Sequence, residues 1–168
     1  MPRRFGGTIH VTMRIGQGID IHPFSDDPHR PLRLGGVLIE GGRGLAGHSD
    51  ADAVCHALAD AVLGATGLGD LGRHFPDSDP QWAGADSVAL LTHVVGLATA
   101  QGFACVNADC TVVAEAPRLA PHTDAMAARL SSVLGAPVSV KATRAEGLGA
   151  LGRAEGVACL AVVLLEQA

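Results

Sequence analysis

Residues 157 to 165 read VACLAVVLL, an unbroken apolar run inside GVACLAVVLLEQ (156 to 167). A helix needs about 20 such residues to cross a bilayer, so this run falls far short of a membrane span. It reads instead as a buried strand covered on both faces, of the kind that layered domains keep in their interior. The rest of the chain has to supply that cover. Its 168 residues, 48% of them apolar, suffice for one domain with a real core and no covalent staples.

The preceding segments alternate between the two periodicities. RIGQGIDIHPF, from Arg14, sets Ile15, Ile19 and Ile21 against polar or small residues and predicts a strand, and LRLGGVLIEG predicts a second one after the turn-like SDDPHRP. EGGRGLAG (40 to 47) is a glycine-rich loop. Ser49, with Asp52 three residues on, has the form of a capping box that opens a helix running to about Ala65, with Val54, Leu58, Ala61 and Val62 on its buried face. A long polar loop, GLGDLGRHFPDSDPQWAGA, leads to a second helix from Asp86 or Ser87, on which Val88, Leu91, Val94, Val95 and Ala98 recur at helical spacing. A loop of that length in a small domain is often functional. FACVNADCTVVAEA predicts a strand, LAPHTDAMAARLSSVLG a helix ending at Gly135, and PVSVKAT a strand before the final apolar one. These five strands and three helices, in this order, predict a single α+β domain, a ferredoxin-like α/β sandwich whose mixed sheet carries its helices on one face. Residues 1–12 show no clear period and read as a flexible N-terminal extension with no function placed in it, which leaves 13–168 as the domain.

Charge and cysteines narrow the partners. A formal charge of -5, with four Phe, one Trp and no Tyr, provides neither the basic footprint nor the stacking surfaces of a nucleic-acid binder. Cysteines 55, 105, 110 and 159 form no CxxC pair, so neither a thiolate zinc site nor a disulfide framework is indicated. The basic start MPRRFGGTIHVT is too broken by glycine for a signal peptide. A cytoplasmic protein that associates with neither membrane nor nucleic acid is expected.

Four clusters carry chemical potential, and each has a plain alternative. Asp20 and His22 are two apart on one strand and so share a face, which suits either two ligands of a divalent metal or a hydrogen-bonded pair. In HSDADAVCHALADA (48 to 61), Asp52, His56 and Asp60 lie one helical turn apart; His56 can be a third ligand with a neighbouring carboxylate fixing its tautomer, or part of a solvated face. His48 and Ser49 precede the helix, where exposed N–H groups hold phosphate oxygens, although Ser49 can serve merely as a cap. AEAPRLAPH (114 to 122) and KATRAEGLGALGR (141 to 153) combine turns with basic residues; they can read a base edge and offer Glu146 to a magnesium ion, or be ordinary surface turns. Cys55 reads as a core residue.

Taken together, RIGQGIDIHPF, GHSDADAVCHALADAVLGATGLGDLGRHFPDSDP, AEAPRLAPH and KATRAEGLGALGRAEGVAC closely resemble the 2-C-methyl-D-erythritol 2,4-cyclodiphosphate synthase family of the non-mevalonate isoprenoid pathway. The match runs from about residue 14 to the C-terminus. The resemblance implies a homotrimer with active sites between subunits, Zn2+ or another divalent metal held by Asp20, His22 and His56, and substrate phosphates met by His48 and Ser49. In this likeness Asp70, Leu71, Gly72, Phe75, Pro76, Asp77, Ser78 and Asp79 hold the methylerythritol part. Ala114, Glu115, Ala116, Pro117, Arg118, Leu119 and Ala120 form the cytidine pocket, and Thr143, Arg144, Ala145, Glu146, Ala150 and Arg153 line the phosphate and nucleotide side. Mg2+ or Mn2+ accompanies the substrate diphosphate, with Glu146 as its protein ligand. Asp20 and His22 also border the substrate, Asp52 and Asp60 are candidates to orient His56 or its helix, and His48 and Arg144 are the catalytic candidates.

The implied reaction is an intramolecular phosphoryl transfer that releases CMP, in which positioning dominates. Three positions depart from the family pattern: Gln17 where His is frequent, Arg144 where Thr is usual, and Ala150 where Phe is common. Arg144 is expected to take over stabilisation of phosphate charge, since a guanidinium fork matches phosphate. The open metal site alone equally allows a zinc phosphoester hydrolase, and a trimeric binding module with a structural metal is a third reading.

Overall fold

Six strands and three long helices follow one another along the residues that the computed structural model describes, 12–167. Strand β1 is Met13–Pro23, β2 Pro31–Leu34 and β3 Val37–Arg43. Helix α1 (Ala53–Thr66), the single turn α2 (Leu71–His74) and α3 (Ser87–Ala100) precede β4 (Phe103–Val113). Then come α4 (Thr123–Leu134), β5 (Val138–Thr143), the single turn α5 (Gly149–Gly152) and β6 (Gly156–Gln167). The expected N-terminal extension lies, except for Thr12, outside the described residues. Among the described residues no helix is long and apolar enough to cross a membrane.

The main sheet has the order β1-β6-β4-β5, antiparallel except for the parallel β4–β5 pair. Helices α1, α3 and α4 pack against β1 and β6, β4, and β5 respectively, which makes the expected mixed sheet with its helices on one face. The buried apolar side chains, among them Leu58, Leu91, Met126, Leu130 and Leu165, fill the space between the two layers.

Three local expectations are corrected. LRLGGVLIEG is a hairpin rather than one strand: Gly35 and Gly36 take φ of 58° and 72°, the positive pair that a two-residue turn requires, and the apolar alternation merely continues through the reversal. The cap of α1 is Asp52, not Ser49, because Ala51 has a positive φ and the helix starts after it. Asp52 accepts from the N–H groups of Val54 and Cys55 (both 3.1 Å) and of Gly35 (2.8 Å) and Gly36 (2.7 Å), so one buried carboxylate ties the hairpin turn to the helix start. Finally, β6 is covered on one face only among the described residues. Val157, Cys159, Ala161, Val163 and Leu165 are buried toward α1, whereas Leu160 and Val162 face outward. Beside them on β1 stand Ile15, Ile19 and Ile21, exposed by 74%, 51% and 62%. With all long helices on the same side, nothing among the described residues covers this second face.

Candidate active site

Glycines bring the site together. Along the helix-facing side of β1 run Gly16, Gly18, Asp20 and His22. A Cβ at Gly16 would lie 1.8 Å from the carbonyl oxygen of Ala61, and one at Gly18 1.9 Å from that of Ala57. Helix α1 therefore rests on bare strand backbone, and His56, one position before Ala57, comes down on Asp20 and His22.

The three side chains converge. Asp20 Oδ2 lies 2.9 Å from His22 Nε2 and 3.1 Å from His56 Nδ1, and the two ring nitrogens are 3.2 Å apart. Ligand atoms bound at 2.0–2.1 Å in a tetrahedral zinc site stand about 3.3 Å from one another, so one carboxylate oxygen and two imidazole nitrogens at these separations fit a divalent cation with little movement. The cluster forms a candidate metal site. Burial by itself would raise the Asp20 carboxyl, but hydrogen bonds and charge from His22 and His56 prevail and hold it well below the usual carboxylate range. His22 is moved the other way: burial works to lower it, and the bond to Asp20 raises it overall.

Each histidine has an outer partner. His22 Nδ1 donates to the Ala46 carbonyl at 2.7 Å, which leaves Nε2 facing the cluster. His56 Nε2 meets Ser87 Oγ at 2.8 Å and Ser49 Oγ at 3.1 Å. Neither carboxylate of the helical stripe touches this ring. Asp52 is spent on the cap, and Asp60 accepts the Leu71 N–H at 2.7 Å, which anchors the long loop instead; burial pushes the Asp60 carboxyl up despite that bond.

A cavity of about 300 Å³ opens over the cluster, and His48, Ser49, Leu71, Phe75 and Asp77 line it with His22 and His56. Of the remaining loop residues assigned from sequence, Asp70 caps α2 through the Arg73 N–H, and Asp79 caps the 3-10 turn Pro80–Trp82 through the Gln81 N–H. Gly72, Pro76 and Ser78 do not reach this wall. His48 Nε2 lies 3.2 Å from the Asp79 carbonyl, which fastens the loop to the helix entrance. Sequence reasoning missed Trp82 and Leu90 on the wall and Ser87 behind it. Trp82 meets Phe75 edge-on at 4.9 Å, and a lone tryptophan in a polar loop was its only signal.

A second cavity, of about 420 Å³, lies at the end of β4 and β5, where Val113 pairs with Thr143. That parallel pairing joins the two late segments. Ala114, Glu115, Pro117, Arg118, Leu119 and Ala120 face Thr143 and Arg144 across it. Arg144 donates Nε–H to Glu115 Oε1 at 2.9 Å and a second N–H from Nη2 to the same oxygen. The hydrogen bond from Arg144 holds the Glu115 carboxyl below its ordinary value. Ala116, Ala145, Glu146, Ala150 and Arg153 do not line this cavity; Glu146 and Ala150 are exposed, and Arg153 pairs with Glu155. The two cavities share no residue within one chain.

The sequence pattern of the YgbB family matches residues 13–166. The chain belongs to the YgbB family. A relative from Geobacillus kaustophilus (strain HTA426), named 2-C-methyl-D-erythritol 2,4-cyclodiphosphate synthase, is 54% identical over 157 residues, which cover 92% of this chain and 98% of the relative. Among solved structures, the bifunctional IspDF from Campylobacter jejuni superposes with a TM-score of 0.90 at 39% identity, covering 95% of this YgbB-family chain but 43% of that longer one. A 2C-methyl-D-erythritol-2,4-cyclodiphosphate synthase in a CDP-bound form gives 0.81 at 39% identity, covering 90% and 99%. The family relationship thus spans both cavities.

Proposed function

We infer that the chain is a 2-C-methyl-D-erythritol 2,4-cyclodiphosphate synthase, a phosphorus–oxygen lyase of the non-mevalonate pathway to isoprenoid precursors. It converts 4-diphosphocytidyl-2-C-methyl-D-erythritol 2-phosphate to 2-C-methyl-D-erythritol 2,4-cyclodiphosphate and CMP. The observation that carries this reading is the pairing of an Asp-His-His cluster with a separate nucleotide-sized cavity, in a family whose similar members bear that name.

In the reaction an oxygen of the 2-phosphate forms a bond to the β-phosphorus of the cytidine diphosphate, the bond from that phosphorus to the bridging oxygen breaks, and CMP leaves with the electron pair. Asp20, His22 and His56 would hold Zn2+ or a similar dication, and Glu146 is assigned to Mg2+ or Mn2+ on the diphosphate. Such ions offset phosphate charge and favour an in-line arrangement. His48 and Ser49, which line the metal-side cavity, would receive phosphate oxygens, and the loop from Asp70 to Asp79, whose Leu71, Phe75 and Asp77 line the same cavity, is assigned to the methylerythritol part. The turn Ala114–Ala120 with Thr143 accepts the cytidine, and Arg144, oriented by Glu115, presents its remaining N–H donors to the phosphates. Ala145, Ala150 and Arg153 are assigned to the same nucleotide side.

A homotrimer with active sites between subunits is supported by two features. The outward apolar face of β1 and β6 needs cover, and the two half-sites do not meet within one chain. A cytoplasmic location agrees with four free cysteines.

The test supplies the cytidylylated substrate with zinc and magnesium and follows the products by 31P NMR. CMP with the cyclic diphosphate is the expected result. CMP with an uncyclised bisphosphate would indicate a phosphoester hydrolase, and retained binding without turnover would indicate a binding module.

A further inference from the structure

Ser87 is the first residue of α3, yet its hydroxyl does not cap that helix; Asp86 does so, accepting the Val88 N–H at 2.9 Å. Ser87 is 1% exposed. A hydroxyl buried to that degree costs free energy unless it is bonded, and its two short bonds run to Asp50 and His56, with Ser49 Oγ farther off at 3.4 Å. On one side Ser87 Oγ donates to Asp50 Oδ1, and on the other it lies 2.8 Å from His56 Nε2. A carboxylate can only accept, so the hydroxyl proton belongs to Asp50. The oxygen of Ser87 is then an acceptor toward the ring, and His56 must carry its proton on Nε2. That leaves Nδ1 as the ring nitrogen that faces Asp20 and His22 and that a cation would bind.

We propose that Asp50 and Ser87 are positioning residues for the metal centre: an Asp50–Ser87–His56 relay locks His56 in the tautomer that can bind a cation and raises the site's metal affinity. The inference rests on the reading of Asp20, His22 and His56 as metal ligands. Partners of this kind behind a ligating histidine typically contribute 10- to 100-fold in affinity. Backbone bonds hold the relay in place. The Asp50 N–H donates to the Ala85 carbonyl at 3.0 Å and the Gly84 N–H to the His48 carbonyl at 2.8 Å, so the segment that closes the substrate loop also carries the serine. Metal affinity and the position of that loop are therefore coupled through one hydroxyl.

Zinc dissociation constants measured by competition with a chromophoric chelator on the full chain test the relay, together with 15N NMR of the His56 ring in the metal-free protein. Ser87→Ala and Asp50→Asn are expected to bind zinc about 10- to 100-fold more weakly. Ser87→Thr, which keeps the hydroxyl, is expected to restore most of the affinity. The ring spectrum should show the Nε2–H form in the parent and a mixture of tautomers in Ser87→Ala. Parental affinity and an unchanged ring spectrum in Asp50→Asn and Ser87→Ala would overturn the relay while leaving the metal reading intact. A parent protein that binds no divalent metal would overturn both. Should Ser87→Ala fail to fold, Asp50→Asn and Ser87→Thr decide by the same readouts.

Discussion

Arg144 touches Glu115 through two of its five N–H donors, and that contact makes its role measurable. Replacing Arg144 with Thr is expected to lower kcat about 10-fold or more, in line with losing a donor that meets developing charge; an unchanged or faster rate would mean that the guanidinium serves only Glu115. The same variant carries a pH signature. Glu115 is held below its ordinary value by Arg144, so any stability it contributes is present above the ordinary carboxyl range and is lost as pH falls through the depressed value. Removing Arg144 should move the Glu115 titration upward, as followed by its side-chain carboxyl carbon in NMR. Not every such residue is equally legible in the sequence. Asp20 and His22 are, because residues two apart on one strand share a face. Ser87 is not, because a serine at a helix start looks like a cap, and only the Asp86 bond shows that the hydroxyl has been freed for another partner. Asp52 and Asp60 were legible as a stripe with His56 but not in their roles, since a helical stripe shows which groups are near and not which of them turn away to bond backbone elsewhere.

At the scale of elements, the strand–helix contact of β1 and α1 sets the geometry of the cluster. Gly18→Ala would put a methyl 1.9 Å from the Ala57 carbonyl oxygen, where both partners are backbone. Helix α1 would have to lift, at an expected cost at or above the upper end of ordinary overpacking, about 3 kcal/mol, and zinc binding should weaken as His56 is carried away. Gly64→Ala, on the same helix, would meet only the Gln17 carbonyl oxygen at 3.8 Å. It is expected to stabilise by about 0.5–1 kcal/mol through the lower chain entropy of alanine. Thermal unfolding of the metal-free variants measures both. The three long helices, β1, β4, β5 and the span of β6 were readable from periodicity, because the apolar spacing switches clearly between two and three to four residues. The hairpin at Gly35–Gly36 was hidden, since β2 and β3 continue one alternating pattern across the turn.

For the whole molecule, the decisive feature is the outward face of the sheet. The final apolar strand calls for cover on two sides, and the fold supplies it on one. Ile19, half exposed on β1, lies away from α1, so Ile19→Asp should leave the fold of the chain intact while disrupting assembly. Sedimentation at micromolar concentration is expected to show a trimer for the parent and a monomer for the variant, with the same far-UV circular dichroism. A monomeric parent would contradict the trimer. The separation of the two cavities along one chain has a genetic corollary. With active sites between subunits, as proposed, a protein crippled at His56 and another crippled at Arg144 would each retain the half that the other lacks, so co-refolding the two impaired pools should restore parental catalysis at about a quarter of the subunit junctions, those that happen to join two sound halves.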